Sequence, residues 1–137
     1  MTAPLVTAAP GDKSRAGGAG MSKSIFDYQG LCERVAGRVD MVEELLGMLR
    51  ASYPVDRQQL LEKLHAADAR SARDIAHRVK GQLQTLGLKC AAERASQLER
   101  LSRDGQLEQA LAALADLDSE FRRFEELELE RRCVVSH

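Results

Sequence analysis

The chain has 137 residues, of which 44% are hydrophobic, 30% charged and only 4% aromatic, with no Trp and a net charge of −1. That length suits one ordinary domain and excludes two comfortable ones, and the near-neutral charge excludes a global polyanion-binding surface. With so few aromatics, Leu, Ala and Val must fill the core, which favours a helical bundle over a sheet sandwich.

In chain order, residues 1–24 open with Met1-Thr2-Ala3-Pro4-Leu5-Val6 and lack the basic start and continuous apolar segment of a signal peptide. Their Gly, Ala, Pro and Ser content reads as a disordered tail, with Met21 as a second possible start. A short helix is expected from about Asp27 to Ala36, ended by Gly37. The next begins near Asp40, which can cap it, and carries Val42, Leu45, Leu46 and Leu49 on one face. Pro54 then interrupts: it suits the first turn of a new helix carrying Leu60, Leu61 and Leu64 to about Ala67, or it kinks a single longer one, and the sequence leaves both open. A further helix is predicted from Ala69 to Leu86, stopped by Gly87, and another from Lys89 to Arg103, with Ala91, Ala95, Leu98 and Ser102 on one side. After the Asp104-Gly105 turn, a last helix from about Gln106 to Leu129 carries Leu107, Ala110, Leu111, Leu114, Leu117, Phe121 and Phe124 at three-and-four spacing. Short links make neighbours antiparallel. The expected fold is therefore all-α, an up-and-down four-helix bundle over residues 25–129 with one or two additional N-terminal helices, and a flexible tail at 130–137.

No apolar run approaches the ~18–20 residues needed to span a membrane. Cys32, Cys90 and Cys133 form neither a CxxC pair nor a disulfide framework, so they read as reduced thiols of a cytoplasmic protein.

The helix over 69–86 holds the most informative pattern. At 100° per residue, Ala72, Ile75, Ala76, Val79, Leu83 and Leu86 fall within a buried sector of about 100°. His77 lies roughly 150° from the centre of that sector and Gly81 nearly opposite it, with Gln84 beside His77. A glycine in mid-helix costs ~1 kcal/mol relative to alanine. Facing outward it improves no core packing, so its use is clearance for something approaching the backbone beside His77; the alternative is a neutral substitution. Lys80, three residues on, can lie alongside the imidazole. From Arg70 to Lys89 there are five bases (Arg70, Arg73, Arg78, Lys80, Lys89) and one acid (Asp74), a local charge of +4 against −1 for the whole chain. That contrast suits an acidic partner or a phosphate. His65, in the last turn of its helix, suits the helix dipole, and His137 has no structural context; three histidines so scattered make no metal motif.

The run Ala76-His77-x-Val79-Lys80-Gly81, with Gly87 ten residues after His77, resembles the histidine-containing phosphotransfer (HPt) domain of bacterial two-component phosphorelays, and the resemblance extends over roughly Phe26 to Leu127. It implies a four-helix bundle with the histidine exposed halfway along one helix. It implies that His77 takes a phosphoryl group from an aspartyl phosphate, or from a kinase, and passes it to another aspartate. Lys80 would shield the phosphate charge, Gly81 would leave room for it and for the docking partner, and Gln84 lies where the family keeps a small or polar residue. A family Glu or Gln 22 residues after the histidine, which orients the imidazole, corresponds to Glu99. Independently, Glu99 borders the apolar stripe of its own helix, where a carboxylate requires a partner or must reach water along its stem. Departures are Val79 in place of the commoner Leu and the polar, bulky run Gln82-Leu83-Gln84-Thr85.

On this reading the chain is a phosphocarrier and not an enzyme by itself. It has no Gly-rich nucleotide loop, no acidic cluster for Mg²⁺, and no cofactor of its own; the metal and the aspartate would belong to a partner receiver domain. The expected partners are response-regulator receiver domains and a (hybrid) histidine kinase, with no nucleic acid and no membrane, and the exposed face around His77 requires no dimer. The reading from another class is a helical adaptor that binds and inhibits a receiver or kinase without carrying phosphate.

Overall fold

The computed structural model describes residues 23–136, with side chains through Arg132. Of the tail expected over residues 1–24, residues 1–22 lie outside the described residues, as do the start at Met21 and His137, while Lys23 and Ser24 are helical.

After a turn of helix at residues 23–25, five helices follow: α1 (Tyr28–Arg34), α2 (Val39–His65), α3 (Ala69–Leu86), α4 (Lys89–Arg103) and α5 (Leu107–Ser136). The first is short and is started by Asp27, whose side chain accepts from the Gly30 N–H. The remaining four form the up-and-down bundle, α3 packing on α2 and α4, and α5 closing the ring against α4 and α2.

Whether Pro54 splits the second helix is resolved: α2 runs unbroken for 27 residues with Pro54 inside it. Pro54 is exposed, whereas Leu49, Tyr53, Asp56 and Leu60 on either side are buried. The missing N–H therefore falls on the solvent face, where water can serve the orphaned carbonyl, while the buried residues hold both halves in line.

The ends of α3 follow local chemistry. Asp68 accepts from the Ser71 N–H at the start, and Gly87 closes the helix in the left-handed region at φ +87°, its N–H bonding the Gln84 carbonyl. Gly87 also anchors α1: its carbonyl accepts from the Asp27 N–H at 2.9 Å. Arg34 reaches the Thr85 carbonyl at 2.9 Å from the same short helix.

The two halves of the bundle differ in texture. Between α3 and α4 the buried side chains include Ala72, Ala76, Ala91, Ala92 and Ala95. Small residues let two helix backbones come close. The bulk lies on the other side, where Tyr53 of α2 stacks on Phe121 of α5 at 4.1 Å between ring centroids and Phe26 meets Phe124 edge-on at 5.0 Å.

The last helix is longer than its apolar pattern indicates. Residues 130–136, expected as a flexible tail, are helical. A charged cluster replaces the apolar stripe there: Glu128, only 2% exposed, is held by Arg50 at 3.1 Å and Arg131 at 2.7 Å, and Arg131 also bonds Glu43 at 2.8 Å. The Arg131 guanidinium stands 4.2 Å over the Tyr28 ring, so the extension is tied to α1 and α2 together.

Replacing Gly87 by Ala is expected to destabilise the fold by about 1–2 kcal/mol, since it forces a side chain into the left-handed region. The new Cβ would also stand 3.2 Å from the Asp27 backbone oxygen. Urea unfolding measures this, and a Gly87→Ala midpoint equal to that of wild type would contradict it.

Candidate functional site

The close approach of α3 and α4 sets His77 opposite Glu99. His77 Nδ1 is 2.9 Å from Glu99 Oε2, and Lys80 Nζ is 2.8 Å from Glu99 Oε1, so one carboxylate bridges the imidazole and the ammonium of the motif. The His77 side chain is 67% exposed, while Lys80 and Glu99 are about one-fifth exposed at 22% and 21%. An ionised carboxylate only accepts hydrogen bonds, so the ring nitrogen facing it carries a proton. In the neutral imidazole that leaves the lone pair on Nε2, on a ring that solvent and a partner can reach.

Burial works against the charge on Glu99, but the hydrogen bonds from Lys80 and His77 together outweigh it and hold its pKa below the ordinary 4.5. Glu99 is thus an anion near neutrality, restrained at both oxygens.

Gly81 lies one turn past His77, and a Cβ built on it would meet nothing within 4 Å. Nothing among the described residues demands glycine there. The Thr85 hydroxyl bonds the Gly81 carbonyl at 2.9 Å and lies along the helix instead of over the gap. Gln84 is exposed and lines a groove of about 580 Å³ between α3, α4 and the N-terminal residues, together with Lys23, Asp27, Lys89 and Glu93.

The sequence-predicted bases do not act as one patch. Lys80 is taken up by Glu99. Arg78 turns toward α2 and bonds Asp56 at 2.6 Å, an aspartate only 8% exposed, so it ties two helices together and does not face the same way as His77. Gln82 likewise bonds Ser52 of α2 at 3.1 Å, so it does not narrow the space around the imidazole. Arg70 and Arg73 remain on the His77 side, where they line a separate hollow of about 370 Å³ with Ala69 and Arg103. Arg103 was not visible as a site residue in the sequence. Its signal was the antiparallel register: if Glu99 faces His77, the residue four after Glu99 faces the residue four before His77, which is Arg73. Among the described residues no three His, Cys, Asp or Glu side chains converge to hold a metal, and no helix is long and apolar enough to cross a membrane. Cys32 and Cys90 are free thiols, each half-buried.

A bundle that presents a histidine in mid-helix on its surface, backed by a carboxylate and opened by a glycine, defines a class of small helical protein built around an accessible imidazole. The family model of the Hpt domain matches residues 44–127, most of α2 through most of α5, and the chain belongs to that family. Hpt domains carry phosphoryl groups in phosphorelays and interact with receiver domains and histidine kinases. No curated protein and no solved structure matches the chain.

The Glu99 geometry fixes a pH response. Its folded-state pKa lies below the unfolded one, so its stabilising contribution is fully present above the ordinary value and is lost as pH falls through the folded value. Wild type is therefore expected to lose stability relative to Glu99→Gln as pH drops below 4.5, measured by urea unfolding at a series of pH values. A difference that stays constant down to about pH 3 would contradict the bridged carboxylate.

Proposed function

We propose that the protein is a phosphorelay intermediate in which His77 Nε2 accepts a phosphoryl group from a receiver-domain aspartyl phosphate, or from a histidine kinase, and returns it to a receiver aspartate. The observation that carries this is the 2.9 Å contact between Nδ1 and Glu99 on a side chain that is two-thirds exposed. With Glu99 ionised, that contact favours the tautomer with the proton on the inner nitrogen and the lone pair on the outer one.

In the forward step the Nε2 lone pair attacks phosphorus in line with the acyl–phosphate oxygen. The N–P bond forms, the P–O bond breaks, and the electron pair leaves with the partner's carboxylate. The ring becomes cationic while the Nδ1 proton stays on the ring, facing the Glu99 anion, which stabilises that charge. The second transfer reverses these steps onto another aspartate. Lys80, held by Glu99 one turn from His77, supplies a positive charge near the incoming phosphate, and Gly81 leaves the approach open. Mg²⁺ would be supplied by the receiver, whose carboxylates bind it. The chain provides a nucleophile and its surroundings, so it carries the group and does not by itself turn over a substrate.

The test is to incubate the protein with Mg²⁺ and phosphorylated receiver domains encoded by the same genome, and to look for acid-labile phosphate. Label is expected on wild type and none on His77→Gln. Binding without label from any receiver would instead identify a non-phosphorylated adaptor. A second variant separates access from stability. Gly81→Ala is expected to raise the unfolding free energy by about 0.5–1 kcal/mol, because a mid-helix alanine with room for its methyl is preferred to glycine. It is also expected to slow transfer from the receiver severalfold. A variant that is both more stable and equally fast would remove Gly81 from the site.

A further inference from the structure

The two hollows along the α3–α4 face are unlike. His77 and Glu99 lie between them. Toward the C-terminus of α3 the lining is of mixed sign, Lys23 and Lys89 beside Asp27 and Glu93. Toward its N-terminus, in the hollow beside Ala69, every charged side chain is an arginine: Arg70 and Arg73 from α3 and Arg103 from α4.

We propose that Arg70, Arg73 and Arg103 form a docking cup for the acidic rim around the aspartate of the partner that exchanges phosphate with His77, and that this hollow sets the partner's orientation. The inference rests on the carrier reading above and adds Arg103 and the polarity of that face to it.

Three observations support it. Position is the first: Arg73 stands one turn before His77, about 6 Å along the helix axis, and Arg103 one turn after Glu99. A partner seated over His77 therefore covers both. Availability is the second. The acids paired with these arginines are their own chain neighbours, Asp74 at 3.0 Å from Arg73 and Asp104 at 3.2 Å from Arg103, in pairs that are 40% to 63% exposed. Such surface pairs are worth at most about 1 kcal/mol and yield to a better anion. Arg78 and Lys80, by contrast, are committed to the recessed carboxylates of Asp56 and Glu99. The third is charge complementarity. On the carrier reading, the phosphoryl-bearing aspartate and the carboxylates that hold its Mg²⁺ are the partner's. The partner's face is thus anionic where it meets His77.

Rim charges of this kind act on encounter more than on the bound complex, and they are screened by salt. The experiment is quench-flow transfer from a phosphorylated receiver that labels the wild type, followed from about 10 mM to about 300 mM ionic strength. Arg103→Glu is expected to lower kcat/KM about tenfold at the low end, through KM with kcat little changed, and less than twofold at the high end. Arg103→Lys is expected to recover most of that loss. Arg122→Glu, the same charge change at an exposed position on α5, reports the effect of net charge alone and is expected to cost less than twofold. Equal losses for Arg103→Glu and Arg122→Glu, or a loss that salt does not screen, would overturn the cup. So would a loss carried in kcat. Direct labelling of the wild type by phosphoramidate in the same series keeps the two readings apart. A wild type that takes no label from phosphoramidate or receiver overturns the carrier reading and the cup together. A labelled wild type with an unimpaired Arg103→Glu overturns the cup alone.

Discussion

The site depends on one carboxylate held at both oxygens. Glu99 bonds Lys80 at 2.8 Å and His77 at 2.9 Å, and both contacts require α3 and α4 to pack closely along their middle turns. The alanines at positions 72, 76, 91, 92 and 95 permit that approach. Alanine contributes little burial, so this half of the bundle gives up hydrophobic area for proximity. The area is recovered opposite, in Phe121, Phe124, Tyr53 and the leucines of α2 and α5. Taking a carboxylate partly out of water carries its own cost. The lowered pKa of Glu99 says that the two donors outweigh it.

Features governed by near neighbours were legible in the sequence. The bounds of α3 follow from a capping aspartate and a left-handed glycine, each acting within three or four residues. The outward placement of His77 and Gly81 follows from periodicity alone. Features governed by distant chain were not. The continuity of α2 through Pro54 depends on which side of the helix faces the core, and that is fixed by what α3 and α5 present to it. The extra turns of α5 depend on Arg131 meeting Glu43, 88 residues away. Arg78 looked like part of the His77 surface because it is adjacent in sequence. One residue turns a helix by about 100°, enough to point it at Asp56 instead. Arg103 was missed for the opposite reason: it is far from His77 in sequence and near it only through the register of two helices.

Rigidity and openness are separated along α3. Val79 and Leu83 are 1% and 0% exposed and anchor the helix on its inner side, while His77 one face away is 67% exposed. The helix that carries the imidazole is thereby anchored, and the inner ring nitrogen is held by Glu99 on a side chain that stays two-thirds exposed. Gly81 extends that opening for another turn. A carrier that must meet more than one partner gains from this arrangement, because its reactive atom is oriented before any partner arrives and none has to remodel the bundle to reach it.

The distribution of charge follows from the same division. A cation paired in place beside the imidazole is oriented but is not free to attract a distant partner, and Lys80 is in that position. A cation tied to a buried aspartate on the next helix stabilises the bundle, as Arg78 does. In the proposed docking, long-range attraction comes from charges whose local partners are weak and exposed, and on the His77 side those lie one turn away, in Arg73 and Arg103. On the proposed reading, steering charges beside the phosphate site, and not on it, let a partner be attracted and oriented without its acidic rim competing with the phosphoryl group for Lys80. A contact of that kind would be small and salt-sensitive, which favours release once the group has moved.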